Sequence, residues 1–181
     1  MIFLINKQQL RQQLLTQLKN LPAAKKKHQE TLLYQKLFAD PVWQKAKVLG
    51  VTMSLPHELA TLPIITQAHK QAKKVLIPRV APKRKLLWFE YQPQKLQKSA
   101  YGILEPSQAS DQAIKPAEID LLIVPGVGFQ LDGTRIGYGG GYYDRLLANF
   151  PGQTLALAFK EQLISGIIPD QWDQKVEKVL H

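Results

Sequence analysis

The amino-acid sequence predicts an α/β protein whose sheet is mostly parallel and covered by helices on both faces. Short apolar runs of strand length alternate along the chain with longer stretches of helical periodicity, and this alternation favours that architecture. No repeat, low-complexity tract or linker divides the 181 residues, so we expect a single domain over residues 1–181. Four apolar runs are predicted as strands of the sheet: Val48–Met53, Val75–Pro78, Asp120–Val124 and Thr154–Phe159.

The chain is expected to begin with three helical segments. The first covers Lys7–Lys19, with Asn6 as its N-cap, and Pro22 ends it. A second helix follows over Ala23–Phe38, and Asp40 caps a short third piece that has proline in its first turn. Leucines at helical spacing give the first helix an apolar stripe: Leu10, Leu14, Leu18 and Leu21.

The middle of the chain is predicted to hold one more helix and a third strand. Thr61 can cap a helix that runs to about Lys74. A further strand, the third in chain order, is expected over Leu86–Glu90. Residues 79–85, before that strand, are expected to form a basic loop. Residues 99–116 are rich in Pro, Ser and Gln with little apolar periodicity, so they indicate an extended loop.

Seven of the eleven glycines fall between positions 126 and 141, after the apolar run at 120–124 and before a predicted helix over 142–149. In a strand-to-helix connection, backbone amides and a helix N-terminus can converge on an anion. Gly137 and Gly139–Gly141 carry no side chains, so a ligand can lie directly on the main chain. The alternative is a mobile loop whose glycines only permit tight turns. The flanking strand and tyrosines favour a bound polyanion.

Two side chains near these glycines suit phosphate chemistry. Arg135 offers a planar fork for phosphate or carboxylate, and Asp144 could hold a metal that bridges phosphates. The familiar phosphate motifs do not fit, because the chain has no Gly-Lys-Ser/Thr triplet, and Tyr142 stands where the dinucleotide fingerprint needs its last glycine. The residues alone therefore indicate a nucleotide or phosphate site of an uncommon type.

The charge balance favours anionic partners. The chain has 24 basic and 14 acidic residues, a formal net charge of +10. The basic clusters at 25–27 and 83–85 are not interleaved with aromatic residues, as a base-stacking surface would be, so nucleic acid is not the partner we expect. A small polyanionic substrate explains the excess equally well, and a basic RNA-binding module stays open as the non-enzyme alternative.

Several classes of protein are excluded by composition. The chain has no cysteine and only scattered histidines, which argues against disulfides, a cysteine nucleophile and structural zinc. No apolar run approaches the ~20 residues that a membrane span needs. Residues 1–5 are apolar but too few for a signal peptide. We therefore expect a soluble cytoplasmic protein.

The motif around the glycines closely resembles the signature of the 5-formyltetrahydrofolate cyclo-ligase family, and the resemblance extends over nearly the whole chain. It is carried by Pro125-Gly126, Phe129, Gly133 and the run Arg135-Ile-Gly-Tyr-Gly-Gly-Gly-Tyr-Tyr-Asp-Arg145. The resemblance implies a NagB/RpiA/CoA transferase-like fold. It implies ATP-dependent, magnesium-assisted ring closure of 5-formyltetrahydrofolate to 5,10-methenyltetrahydrofolate. Another ATP-dependent small-molecule kinase or ligase using the same loop is the alternative within enzymes.

The same resemblance predicts where ATP binds. The family begins with a Lys/Arg-x-x-x-Arg helix that contacts ATP, and Lys7 and Arg11 match it. Their spacing of four places both on one helix face, where spacing alone favours ordinary solvated cations. The residues expected to contact ATP are Lys7, Gln8, Gln9, Leu10, Arg11, Arg135, Ile136, Gly137, Tyr138, Gly139, Gly140, Gly141, Tyr142 and Tyr143.

The resemblance also predicts the folate contacts, with Arg135 and Tyr142 as the catalytic pair. Met53 and Glu58 correspond to family positions that touch the folate, although a core methionine and a solvated loop acid are the alternatives. Tyr138 and Tyr142 fit contact with the pterin or ordinary packing equally well. The expected folate contacts are Arg11, Met53, Glu58, Tyr138, Gly139, Gly140, Gly141 and Tyr142.

Asp144 and Asp173 are the expected magnesium ligands. The family usually has His-Asp at the second position, whereas this chain has Trp172-Asp173 and ends soon after, at His181. Glu105 lies in a segment similar to the family's Gly-x-x-Glu-Pro, and we assign it no catalytic role. As a hypothesis, Lys83 and Lys85 attract a polyglutamate tail of the substrate. We expect a monomer that contacts no membrane.

Overall fold

The computed structural model describes residues 6–100 and 102–181, so the apolar segment at 1–5 lies outside the described residues. In chain order the helices and strands are α1 (Lys7–Lys19), α2 (Ala23–Ala39), α3 (Pro41–Lys45), β1 (Val48–Gly50), α4 (Leu62–Lys70), β2 (Lys74–Ala81), β3 (Lys85–Glu90), β4 (Leu96–Lys98), β5 (Leu104–Pro106), β6 (Leu121–Ile123), β7 (Gly128–Phe129), β8 (Arg135–Ile136), α5 (Tyr142–Leu147), β9 (Gln153–Leu157) and β10 (Lys178–Leu180).

The main sheet confirms the predicted α/β class. Its six strands lie in the order β10-β9-β6-β1-β2-β3, and all neighbours are parallel except β2 and β3. In the centre, Leu49 of β1 stands opposite Val75 on one side and Leu121 on the other. The chain moves from β1 to one edge and then returns to fill the other. The direction therefore reverses between β1 and β6.

Apolar side chains cover both faces of this sheet, as its alternating strands require. On β2, Val75 and Ile77 point into a large cluster with residues of α1 to α4, whereas Leu76 points into a second cluster. Leu146 and Leu147 of α5 pack against that second cluster. Within residues 6–100 and 102–181, no helix is both long and apolar enough to cross a membrane.

The first helices begin where the sequence predicts. The Asn6 side chain accepts a hydrogen bond from the N–H of Gln8 at 2.8 Å, which caps α1. Asp40 does the same for the N–H of Val42 at 2.9 Å, at the start of α3. Both caps satisfy backbone donors that have no partner inside the helix.

The predicted end of α4 at about Lys74 is wrong, because the helix ends at Lys70 and β2 begins at Lys74. Ala72 takes a left-handed conformation, with φ of 54°, which a helix cannot continue. The Lys73 ammonium then donates to backbone carbonyls of Trp43 at 2.8 Å and Ala46 at 2.6 Å. These tertiary hydrogen bonds help to fix the end of α4, although the sequence pattern would allow the helix to continue.

Two predicted loops contain strands. β2 continues through Ala81 and pairs with β3, so the expected basic loop at 79–85 shrinks to a turn of Pro82–Arg84. The expected extended loop at 99–116 contains β5, which pairs with β4. A hairpin of β7 and β8 also interrupts the predicted connection between β6 and α5. Strands of two or three residues are too short for a period of two to show in the sequence.

Candidate active site

One large cavity lies at the carboxyl ends of the central strands, where the order of the sheet reverses. Residues that follow β1, such as Met53, and Pro125 after β6 line it together with parts of α1 and α5. Ligands in open α/β sheets bind at such a reversal, because the connections on either side leave a crevice. The volume of about 1270 Å³ exceeds the ~300–1000 Å³ of common small-molecule pockets. There is room for two ligands.

Most of the side chains predicted to contact ATP, folate or metal line this cavity. They are Lys7, Arg11, Met53, Glu58, Asp144, Asp173 and every residue from Arg135 to Tyr143. Gln8 and Gln9 are exposed on α1 and do not line it. Leu10 packs in a small apolar cluster around Leu14. These three are predicted ATP contacts that the structure does not bring to the cavity wall.

Lys7 and Arg11 reach different parts of the cavity from one face of α1. Arg11 Nε donates to the carbonyl of Gly137 at 2.7 Å, which ties the helix to the glycines. Lys7 Nζ donates to Asp170 Oδ2 at 2.7 Å and Asp173 Oδ2 at 2.5 Å. Burial opposes the Lys7 charge, but the hydrogen bonds and charges of the two carboxylates outweigh it and raise the pKa of Lys7.

Arg135 is held beneath the glycines by β8. Its side chain is only 4% exposed, and Nη2 forms a 2.8 Å salt bridge with Asp144 Oδ1. Nη1 reaches the carbonyl of Pro125 at 3.4 Å, and the guanidinium carbon lies 5.9 Å from the ring centre of Tyr143. Within the described residues, Arg135 Nε has no hydrogen-bond partner. A buried cation with spare donor capacity suits an anionic ligand.

The glycines at 137–141 form a bare stretch of backbone that only glycine allows at several positions. Gly139 and Gly141 have φ of 94° and 67°. A Cβ atom on Gly137 would lie 2.5 Å from Arg135 Nη1, and one on Gly139 would lie 3.4 Å from the Arg11 guanidinium carbon. The backbone is therefore packed directly against two arginines. A side chain at Gly137 would require the Arg135 guanidinium to move, whereas at Gly139 the positive φ is what disfavours one.

Asp144 and Asp173 are brought near each other by the turn at 170–174. The N–H of Gln174 donates to Asp144 Oδ1 at 3.3 Å, and the N–H of Asp170 donates to Asp173 Oδ2 at 2.9 Å. Burial opposes the charge of Asp173, but hydrogen bonds from Lys7 and Asp170 and the charges of Lys7 and Arg135 lower its pKa. Each acid thus lies beside a cation, Asp144 beside Arg135 and Asp173 beside Lys7.

These two carboxylates fit Mg²⁺ when phosphate oxygens complete the shell. Asp144 Oδ2 and Asp173 Oδ1 accept no hydrogen bond from the described residues, so each has an oxygen left for a metal. Within residues 6–100 and 102–181, no three His, Cys, Asp or Glu side chains are grouped so that they could hold a metal ion by themselves. That arrangement suits Mg²⁺, which commonly binds one or two carboxylates together with substrate phosphates and water.

Glu58 and Tyr138 form the opposite wall. Tyr138 donates its hydroxyl to Glu58 Oε1 at 2.5 Å, and the other carboxylate oxygen accepts from the N–H of Leu55 at 2.6 Å. Burial, followed by the Glu58 charge and hydrogen bond, raises the pKa of Tyr138, so this hydroxyl stays a donor. Met53 lines the cavity and also packs against the larger apolar cluster. The alternative, that Met53 is a core residue, is therefore correct in part.

The structure adds lining residues that the sequence did not single out as binding residues. Asp170 contacts Lys7, Arg84 and Trp172 reach the cavity, and Glu105 is buried in its wall. No motif marked the first three. Lys83 and Lys85, by contrast, flank Arg84 without lining the cavity.

Comparison with known proteins agrees with this geometry. The sequence model of the 5-formyltetrahydrofolate cyclo-ligase family matches residues 5–181. The chain belongs to this family. It is 34% identical to the 5-formyltetrahydrofolate cyclo-ligase of Mus musculus, over 97% of this chain and 93% of that protein. It is 29% identical to the 5-formyltetrahydrofolate cyclo-ligase of Haemophilus influenzae, over 95% of this chain and 97% of that protein.

Solved structures of similar proteins share the fold. The NMR structure of Aquifex aeolicus 5,10-methenyltetrahydrofolate synthetase gives a TM-score of 0.83 at 28% identity, covering 96% of this chain and 88% of that one. A 5,10-methenyltetrahydrofolate synthetase from Mycoplasma pneumoniae gives 0.77 at 22% identity, over 97% and 98%, and shows the fold alone. This cyclo-ligase family member is an ATP-dependent ligase of folate one-carbon metabolism, which converts 5-formyltetrahydrofolate to 5,10-methenyltetrahydrofolate. Family membership sets aside the RNA-binding alternative.

Proposed function

We propose that the cavity holds ATP and 5-formyltetrahydrofolate together, and that the γ-phosphoryl group of ATP passes to the formyl oxygen. One observation supports this most: the residues predicted for both ligands line one cavity of about 1270 Å³. Lys7, Arg11 and Arg135 supply cations for a triphosphate. Met53 and Glu58 stand on the wall predicted for the folate.

The chemistry explains why ATP is consumed. The formyl oxygen is a very poor leaving group on an amide-like carbon. Transfer of the γ-phosphoryl group forms an oxygen–phosphorus bond and releases ADP. N10 of the folate then attacks the formyl carbon and loses its proton, and phosphate departs with the former formyl oxygen. The product is the methenyl bridge between N5 and N10.

The protein's part in this reaction is to position the ligands and stabilise charge, because no protein nucleophile is required. Arg135 lies close enough to the glycine backbone to hold charge on the transferred phosphoryl group. Arg11 fixes the glycines through Gly137, and Tyr142 stands at the helix start beside them. Mg²⁺, held by Asp144 and Asp173, would neutralise phosphate charge.

Turnover of the wild type against two Arg135 variants tests the proposal. We expect methenyl product, followed by its near-ultraviolet absorbance, only when ATP is present. Arg135→Ala should lower kcat/KM at least ~100-fold, since a preorganised donor at developing charge is removed. Arg135→Lys keeps the charge without the planar fork, so its kcat/KM should fall between the values for the wild type and Arg135→Ala. Product formation without ATP, or undiminished turnover by Arg135→Ala, would contradict the proposal.

A monomeric state and a cytoplasmic location stay predictions for this chain. Light scattering of the purified protein measures the first, and fractionation of the source cells measures the second. A dimer in solution, or recovery with the membrane fraction, would contradict them.

A further inference from the structure

Glu105 is a buried carboxyl group in the cavity wall whose hydrogen bonding is incomplete. The residue is 8% exposed and lies in β5. Among the described residues, the side chain has one hydrogen-bond partner, the backbone N–H of Val80 at 3.4 Å from Oε1. Burying a carboxyl group with unused acceptor capacity costs free energy unless something else supplies donors.

Among the described residues, no cation forms a salt bridge with the Glu105 carboxyl group. Burial raises the pKa of Glu105, and the Val80 N–H and the positive charge of Arg79 act in the opposite direction. The Arg79 guanidinium donates instead to the carbonyls of Pro106 at 3.1 Å and Gln108 at 2.5 Å. An acid placed here therefore needs a reason beyond pairing with its neighbour.

A purely structural role accounts for only part of this arrangement. The ladder between β1 and β2 ends at Gly50 and Leu76, and β5 packs against the part of β2 beyond that point. Glu105 meets one edge donor, the N–H of Val80. A neutral amide oxygen could accept that bond as well as a carboxylate does, so the negative charge stays unexplained.

We propose that Glu105 binds the pyrimidine edge of the folate ring system by accepting hydrogen bonds from N3–H and the 2-amino group. The inference rests on the proposed function of the cavity. These two donors lie side by side on the ring, and a carboxylate can accept such a pair through its two oxygens. Val80 and Leu86, which stand opposite each other in the β2–β3 ladder, give the cavity an apolar surface there that suits a flat ring.

The proposal divides the work between two acids of the cavity. Glu58 already accepts from Tyr138 and from the N–H of Leu55, so it serves to fix that wall. Glu105 has the unused capacity. It is therefore assigned as the residue that selects the amino-substituted ring.

Glu105→Gln tests the charge while keeping the shape. Glutamine retains an oxygen for Val80 but turns an amino group toward one of the ring donors. The KM for 5-formyltetrahydrofolate should rise ~10- to 100-fold, and the KM for ATP should change less than about twofold. Glu118→Gln, an exposed acid outside the cavity, is the matched control and should change neither. Equal rises in both constants, or none, would overturn the assignment.

A substrate analogue tests the same contact in the wild type, independently of how any variant folds. A 5-formyltetrahydrofolate that lacks the 2-amino group should bind at least ~10-fold more weakly than the parent compound, by calorimetry. Glu105→Gln should distinguish the two compounds much less. Equal binding of both by the wild type overturns the role of Glu105 even when turnover is normal. Failure of the wild type to make methenyl product overturns the proposed function instead.

Discussion

Lys7 is paired with acids in the structure and is also expected to bind phosphate. It is a predicted phosphate ligand, yet its ammonium lies between Asp170 and Asp173, the second of which is a predicted metal ligand. Arg135 and Asp144 repeat the pattern with a 2.8 Å salt bridge. Each cation therefore balances an acid. In the proposed mechanism, phosphate and Mg²⁺ would replace these partners, so that binding would exchange partners rather than create new charge.

Lys7→Met should weaken both ATP binding and the folded state. The KM for ATP is expected to rise ~10-fold, because a charge-assisted contact is lost. The free energy of unfolding near pH 7 should fall by about 1 kcal/mol, because both partners are only 26% exposed in the Lys7–Asp173 pair. Lys175→Met is the matched control, since Lys175 forms a 2.5 Å pair with Asp132 outside the cavity. It should leave the KM for ATP unchanged.

The stability loss in Lys7→Met should depend on pH in a defined direction. The pKa of Asp173 is lowered in the folded state, so its contribution is present above the ordinary value of 3.8 and disappears as pH falls through the folded pKa. The pKa of Lys7 is raised, so its contribution disappears only as pH rises above 10.5. Urea unfolding at several pH values should show the difference from wild type shrinking below pH 3.8. A difference that persists in acid would contradict the pairing.

At the residue scale, the sequence predicted the cations but not their partners. The resemblance singled out Lys7 and Arg11, although their spacing alone favoured solvated cations, and both reach the cavity. Asp170 was missed, because its contact with Lys7 joins residues 163 positions apart. Gln8 and Gln9 share the helix but face away, as residues next to a contact residue on a helix do.

At the scale of elements, the glycine stretch combines strain with contact. Gly139 has φ of 94°, and a Cβ atom there would lie 3.4 Å from the Arg11 guanidinium carbon, in van der Waals contact with it. Gly166 also has a positive φ, of 74°, but a Cβ there would meet nothing within 4 Å. The two positions share the backbone requirement and differ in what surrounds them. They form a natural pair for mutation.

Gly139→Ala should therefore lose activity, whereas Gly166→Ala should not. Both variants are expected to lose stability by ~1 kcal/mol, because alanine is disfavoured at positive φ. Only Gly139→Ala should also lower kcat/KM, by ~10- to 100-fold, since a backbone shift that relieves the strain at Gly139 would misplace the phosphates in the cavity. Steady-state kinetics and thermal unfolding of both variants provide the comparison. Equal activities at equal stability would show that the stretch does not contact the reacting groups.

Helices α1 and α2 were predicted almost to the residue, whereas the end of α4, the length of β2 and the short strands β4 and β5 were missed. Helix α1 agrees to the residue, because its cap and leucine stripe are local signals. β4 and β5 have three residues each; the sequence predicts a loop at β5 and no element at β4. Their pairing lies at a sheet edge that only the folded chain creates. The end of α4 was missed for the same reason, since hydrogen bonds of Lys73 to a distant segment set it.

At the scale of the whole molecule, the sheet order explains why distant segments meet. β1 and β6 are neighbours although about 70 residues separate them, and the chain departs in opposite directions from the two. The sequence predicted an anion site in the connection between the strand at 120–124 and the following helix. It could not predict which strands are neighbours, because register follows from tertiary contacts. The cavity at the reversal joins α1, the glycines and the turn at 170–174.

Positive charge is also arranged at this scale. The turn between β2 and β3 places Arg84 in the cavity wall, with Lys83 and Lys85 exposed on either side. A chain of glutamates leaving the cavity at this turn would meet the lysines after passing the arginine. The hypothesis of a polyglutamate contact therefore changes in one respect. With the substrate in the cavity as proposed, Arg84 would face its bound part, and the two lysines would act only on its extension.

Lys83→Glu/Lys85→Glu should remove the preference for a polyglutamate tail without harming the reaction. The KM for a polyglutamylated substrate is expected to rise ~10-fold, while the KM for the monoglutamate changes less than about twofold, since exposed charges act through a screened field. Lys27→Glu/Lys45→Glu changes the net charge equally at exposed positions outside the cavity and separates a local from a general effect. Added salt should reduce the wild-type preference. Equal changes for both substrates, or the same result from the control variant, would show that the turn does not contact the tail.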